Sequence, residues 1–128
     1  MSITTVSNSA NVPDSPQGHV IGYVDSPAQC DAIVTALIEA GIKKERIIAL
    51  SGEEGLGLLR AMMEGSQWGE EAEVTLRQSE HELVNGSYVL CIDAEERDDA
   101  LSIAKIAQQH GGYRFNHFGI LVDETLTP

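Results

Sequence analysis

The residues that first suggest chemistry are three glycines in the run Leu50-Ser51-Gly52-Glu53-Glu54-Gly55-Leu56-Gly57-Leu58-Leu59. An apolar stretch, Ile47 to Leu50, precedes them and a helical pattern follows. Glycine-rich turns between a strand and a helix cradle phosphates in nucleotide-binding folds. The spacing here is GxxGxG after a second strand, whereas a dinucleotide fingerprint is GxGxxG after a first one. A Walker loop needs Gly-Lys-Ser/Thr, and here Gly57 is followed by two leucines. Glu53 and Glu54 would repel a phosphate. Ser51-x-x-Glu54 instead has the form of a capping box, with the two acids favoured at the positive end of a helix dipole. The main reading is therefore a helix start. An anion cradle stays open as the second reading, because helix N-termini do bind anions.

Other chemistry-bearing residues are scattered. His110 and His117 flank Gly-Gly-Tyr-Arg-Phe-Asn. On a β-strand His117 shares a face with Tyr113 and Phe115, which predicts an aromatic–histidine patch used for packing or oligomerisation. His81-Glu82 lacks the second histidine of a zinc HExxH motif. Cys30 and Cys91 form neither a CxxC nor a Cys/His cluster, and both fall in apolar patterns, so they read as buried thiols. No GxSxG elbow occurs. Glu95-Glu96 and Asp98-Asp99 read as the acidic first turn of a helix. Trp68 reads as a plug in the turn between the two middle helices, or as an exposed anchor. No catalytic residue, metal-ligand set or cofactor motif is assigned.

The elements that must position these residues follow from periodicity. Residues 1–18 read as a flexible arm, 19–124 as one domain and 125–128 as a tail. His19–Val24 is a β-prone first strand. Ser26 and Pro27 then form a helix start, and Cys30, Ile33, Leu37 and Ala40 recur at helical spacing up to Gly41. Arg46–Leu50 is a second strand. Two helices follow, ending near Gly65 and Asn85-Gly86. Ser87–Ala94 is a third strand. The next helix has Ala100, Ile103, Ala104 and Ala107 on one face, and Tyr113–Val122 is the last strand.

With the middle helices set aside, the order is βαβ-βαβ. The expected fold is α+β, a ferredoxin-like split βαβ sandwich of about four strands with a helical insertion between strands 2 and 3. A doubly wound sheet is the rival. Ile47–Leu50 and Tyr88–Ile92 do not alternate apolar with polar, so both sheet faces need cover. The first and last helices can cover one face. The inserted helices or a second copy of the chain must cover the other, and a homodimer or larger oligomer is expected.

In a βαβ unit the ends of strands 1 and 2 fall on one sheet edge. Asp25, Ser26, Ser51, Gly52 and Glu53 there are the expected ligand-binding residues, for a cation or polar neutral ligand as readily as a phosphate.

The chain has 128 residues, 42% of them hydrophobic and 22% charged, which suits one globular domain with a real core. Twenty acids against eight bases give a net charge of −12. Such a surface repels nucleic acid and anionic membranes. No apolar run approaches the roughly 20 residues of a membrane span, and the N-terminus lacks a signal-peptide pattern, so a cytoplasmic location is expected.

Two stretches, VIGYVDSPAQCDAIVTALIEAGIKKERIIALS and HELVNGSYVLCIDAEERDDALSIAKIAQQHGG, cover about half the chain. In strand–helix order, acidic helix starts and glycine stops, they resemble the bacterial general-stress or heat-induced stress protein domains. The chain departs from that pattern at Ser79, where an aromatic is expected nearby, and at Gln67-Trp68-Gly69. The resemblance implies a ferredoxin-like domain with a stress-linked, non-catalytic role and no catalytic residues. Three readings result: a binding or regulatory module with a protein partner, a small-ligand sensor, and a dimeric α+β-barrel enzyme using His117 or His81.

Overall fold

Strands and helices follow in the order β1 (His19–Val24), α1 (Pro27–Glu39), β2 (Ile47–Leu50), α2 (Gly52–Glu64), α3 (Gly69–Val84), β3 (Tyr88–Asp93), α4 (Arg97–Gln109), β4 (Tyr113–Phe118) and β5 (Asp123–Thr125). The structure, a computed structural model, describes residues 18–64, 69–118 and 123–127. The arm at 1–17, Trp68 and the part of the expected last strand at 119–122 lie outside the described residues.

Local chemistry accounts for the helix boundaries. Ser26 is extended, and its hydroxyl accepts from the Gln29 amide at 3.2 Å while Pro27 opens α1. One face of α1 then buries Cys30, Ile33, Val34 and Leu37. In α4 the buried face is Ala100, Ile103, Ala104 and Ala107. Arg46 belongs to a 3-10 turn, Lys44–Arg46, rather than to β2. Its guanidinium donates to the Asp93 carbonyl and pairs with Asp99 at 2.6 Å, tying the start of β2 to α4.

The fold is α+β, with one open antiparallel sheet in the order β2-β3-β1-β4-β5. The sheet thus has five strands in place of four. Residues beyond Phe118 return as β5 beside β4, pairing Asn116 with Thr125. The chain stays docked past β5, where the Leu126 amide donates to the Phe115 carbonyl and Thr127 is buried.

Both faces are covered within the chain. Val20, Val24, Ile47, Ala49, Leu90, Ile92 and Phe115 meet the buried faces of α1 and α4. On the opposite face Ile21, Tyr23, Leu50, Val89, Cys91 and Phe118 pack with Leu59 of α2 and with Leu76 and Leu83 of α3. The absence of alternation in β2 and β3 is thereby explained by the inserted helices. The expectation of a dimer rested on an uncovered second face, and that reason is met in cis.

One irregularity shapes the rest. Ile21 pairs with Asn116, but Tyr23 pairs with Tyr113, so Arg114 and Phe115 together oppose Gly22. This is a β-bulge, and Arg114 sits in it at φ 55°, alone among the described non-glycine residues in having a positive φ. A bulge leaves backbone groups without a ladder partner. Here the Phe115 amide donates to the Thr127 hydroxyl at 2.9 Å.

Candidate functional site

The bulge reverses the facing of β4. Phe115 and His117 turn to the α1/α4 side, while Tyr113 turns to the other, where its ring lies 5.9 Å from that of Tyr23. The expected patch of Tyr113, Phe115 and His117 therefore does not form. Phe115 is wholly buried, and His117 is buried with Nε2 donating to the Ala94 carbonyl at 2.8 Å. The expectation failed because one extra residue in a strand shifts every later side chain to the opposite face.

The β1/β2 edge forms in part. β1 and β2 both run antiparallel to β3, so their C-terminal ends share an edge, with β3 between them. The separation is two strand spacings, about 10 Å. Gly52 opens α2 at φ +64°, and the Gly55 amide donates to the Ser51 carbonyl at 2.9 Å, so the glycine-rich stretch is a helix start. Glu53 is exposed in the first turn of that helix. Ser26 is occupied in capping α1. Asp25 is drawn elsewhere, accepting from the Tyr113 hydroxyl at 3.0 Å.

That hydroxyl is a junction. It lies 2.6 Å from Glu82 Oε1 and 3.3 Å from Ser87 Oγ. Its single proton serves two carboxylates, those of Glu82 and Asp25. Burial raises the phenol's pKa well above its ordinary value, and the bonds to Glu82 and Asp25 add to that. Burial also pushes Glu82 upward. The bonds from Tyr113, Ser87 and Gln78, together with the Arg114 charge, outweigh it and leave Glu82 below the usual carboxylate range. The junction latches the C-terminal end of α3 to the sheet.

Beside this latch, between α3 and β4–β5, a cleft of about 270 Å³ opens to solvent. Tyr23, Val74, Thr75, Gln78, Arg114 and Asn116 line it, with Thr125 and Thr127. Tyr23 is buried, and its hydroxyl lies 2.9 Å from Ser79 Oγ. Ser79 in turn donates to the Thr75 carbonyl at 2.8 Å. Desolvation raises Tyr23 to about 12, the Ser79 bond and the Arg114 charge opposing it. Arg114 is exposed, and among the described residues no carboxylate stands within ion-pairing distance of it. Val74 is 70% exposed, an apolar side chain left bare beside polar neighbours.

Neither candidate histidine lines the cleft. His81 is exposed on α3, where its ring meets the Asn85 side chain. Among the described residues no group of His, Cys, Asp and Glu could hold a metal ion, and no helix is long and apolar enough to cross a membrane. Both cysteines are free and buried.

No motif marks the residues of this cleft. Its residues come from the middle of α3, from a bulge, and from the chain's last described turn. The one usable signal was Arg114, the single Lys or Arg after Lys105. In comparisons with protein-family models, curated proteins and solved structures, nothing matches the chain. The stress-protein resemblance therefore rests on the sequence pattern alone.

Proposed function

We propose that this chain is a non-catalytic binding domain that takes a small ligand in the cleft between α3 and β4–β5. The observation that carries this reading is Arg114. It occupies a left-handed backbone position at a bulge, and it brings the cleft a cation without an ion-pair partner among the described residues. A non-glycine residue in that region costs on the order of 1–2 kcal/mol. Strain of this kind clusters where a side chain has a task, and bulges gather beside binding sites.

The fold reading is ferredoxin-like. Strand order β2-β3-β1-β4, with α1 and α4 packed on one face, is what a split βαβ repeat produces. The α2–α3 insertion and β5 are additions to it, and they form the two walls of the cleft. A binding role in a stress response agrees with the sequence pattern, and a homodimer agrees with the notion of a regulatory module, though neither is needed by the cleft.

The test is a thermal-shift and amide-NMR screen of the full chain with a fragment library of mixed charge. A ligand at 100 times its dissociation constant adds roughly 2.7 kcal/mol of stability. Hits that move the side-chain amides of Gln78 and Asn116, and that disappear in Thr125→Trp, support the reading. Thr125 is exposed on an edge strand, and a tryptophan there fills the cleft without entering the core. A flat screen, or hits confined to other surfaces, overturns it.

A further inference from the structure

We infer that the ligand of this cleft is a small organic monocarboxylate that also carries a hydrogen-bond donor, its carboxylate held by Arg114. The inference rests on the binding reading above and adds the chemistry of the ligand.

Size comes first. A volume of 270 Å³ equals roughly nine waters at about 30 Å³ each, which suits a molecule of about ten non-hydrogen atoms. Charge comes next. The chain carries a net charge of −12, yet the described lining of the cleft has an arginine and no carboxylate. An anion that finds little welcome elsewhere on the surface meets a guanidinium here.

The valence of that anion follows from the surroundings of Arg114. Its charge already acts on Glu82, whose carboxylate lies behind the cleft wall, bonded to Gln78. A single guanidinium, with no ion-pair partner among the described residues but with a carboxylate in its field, balances at most one negative charge, which disfavours the near-double charge of a phosphate monoester. The planar fork of arginine also matches a carboxylate with two parallel hydrogen bonds.

The rest of the lining offers acceptors. The Tyr23 hydroxyl has two acceptors within reach for its one proton, Ser79 Oγ at 2.9 Å and the Thr75 carbonyl at 3.3 Å, and a lone pair of its own oxygen remains. Gln78 gives one of its two amide N–H groups to Glu82 at 2.9 Å, and its carbonyl oxygen is an acceptor. An acceptor from β1 and one from α3, in a lining that also holds Arg114, suit a ligand that carries a donor besides its anionic group.

The experiment titrates the full chain with 4-hydroxybenzoate and with its neutral amide, 4-hydroxybenzamide, followed by amide NMR. The expected result is saturable movement of the Gln78, Asn116 and Thr125 signals by the acid, with the amide weaker by about tenfold or more. Arg114→Gln removes that preference, and Arg114→Lys, which keeps the charge but loses the fork, retains part of it. Equal binding of acid and amide in the cleft overturns the carboxylate assignment and leaves the binding reading intact. Acid binding that Arg114→Gln leaves unchanged also overturns it. If neither compound moves cleft signals at millimolar concentration, the inference falls, and the mixed-charge screen decides the binding reading separately.

Discussion

The ring of Phe115 lies directly on Gly22, so that a β-carbon added to that glycine would overlap the ring atoms. The contact is a product of the bulge. Two residues of β4 oppose one of β1, and the one is a glycine. Any side chain at position 22 would push Phe115 out of the α1/α4 core, where it is wholly buried. Gly22→Ala should therefore destabilise the fold by about 1–3 kcal/mol, the usual cost of overpacking a core. Urea unfolding of Gly22→Ala, Phe115→Leu and the double variant measures it. The two changes should couple, the double variant being more stable than the sum of the single losses. Additive losses would mean the ring does not depend on the missing β-carbon.

Arg114 occupies the place that a bulge of this shape ordinarily gives to glycine. Arg114→Gly should thus raise stability by about 1 kcal/mol through relief of backbone strain. The same change should abolish ligand binding in the cleft. Stability gained against function lost is the pattern expected where a strained residue is kept for its side chain. A rise in the urea midpoint together with loss of every cleft hit in the fragment screen is the expected outcome. Unchanged binding would remove Arg114 from the site.

Much of the frame was legible because local chemistry and tertiary packing agree. Ser26-Pro27 caps a helix in sequence and in space, and the Ala100, Ile103, Ala104, Ala107 stripe is buried as its spacing requires. The unalternating strands demanded two covers, and Leu59, Leu76 and Leu83 supply the second. The site was not legible, because its determinants are long-range. Nothing in Gly-Tyr-Arg-Phe announces a bulge, since the extra residue is set by the partner strand at Gly22. The patch assigned to Tyr113, Phe115 and His117 assumed an unbroken period of two, and the bulge splits it. Ser79 carries no signal in a helix, yet it is the residue that receives Tyr23. Asp25 and Tyr113, read as members of two separate sites, share one hydrogen bond.

The latch at Tyr113 gives the fold an acid limit. Glu82 is held below its ordinary value of 4.5, its hydrogen bonds and the Arg114 charge outweighing burial. A carboxylate with a depressed folded pKa contributes stability that is complete above its unfolded pKa and is lost as pH falls through the folded one. The loss should set in below about pH 4.5. Urea midpoints from pH 7 to pH 3 should fall more steeply for the native chain than for Glu82→Gln, which cannot titrate. Tyr113→Phe removes one donor and should give an intermediate slope. Parallel acid limbs for all three chains would assign the loss to other carboxylates.

The alkaline limit has the opposite sign. Burial raises Tyr23 from 10.0 to about 12, Cys30 from 9.0 to about 11, and Cys91 from 9.0 to about 12. A raised folded pKa means stability that is complete below the unfolded value and lost as pH climbs through the folded one. The fold should therefore keep its full stability to about pH 9 and weaken between there and pH 12. For the buried Tyr23 hydroxyl the loss amounts to about 3 kcal/mol once it is complete. Tyr23→Phe removes that titration, but it also leaves Ser79 Oγ without its phenol partner at 2.9 Å. The variant should accordingly be less stable at pH 7, by about 1 kcal/mol, and lose less on going to pH 11. Crossing stability–pH curves for the two chains are the expected result, read from urea midpoints at each pH. Curves that stay parallel from pH 8 to pH 11 would mean that the Tyr23 hydroxyl is not desolvated and titrates as an ordinary phenol.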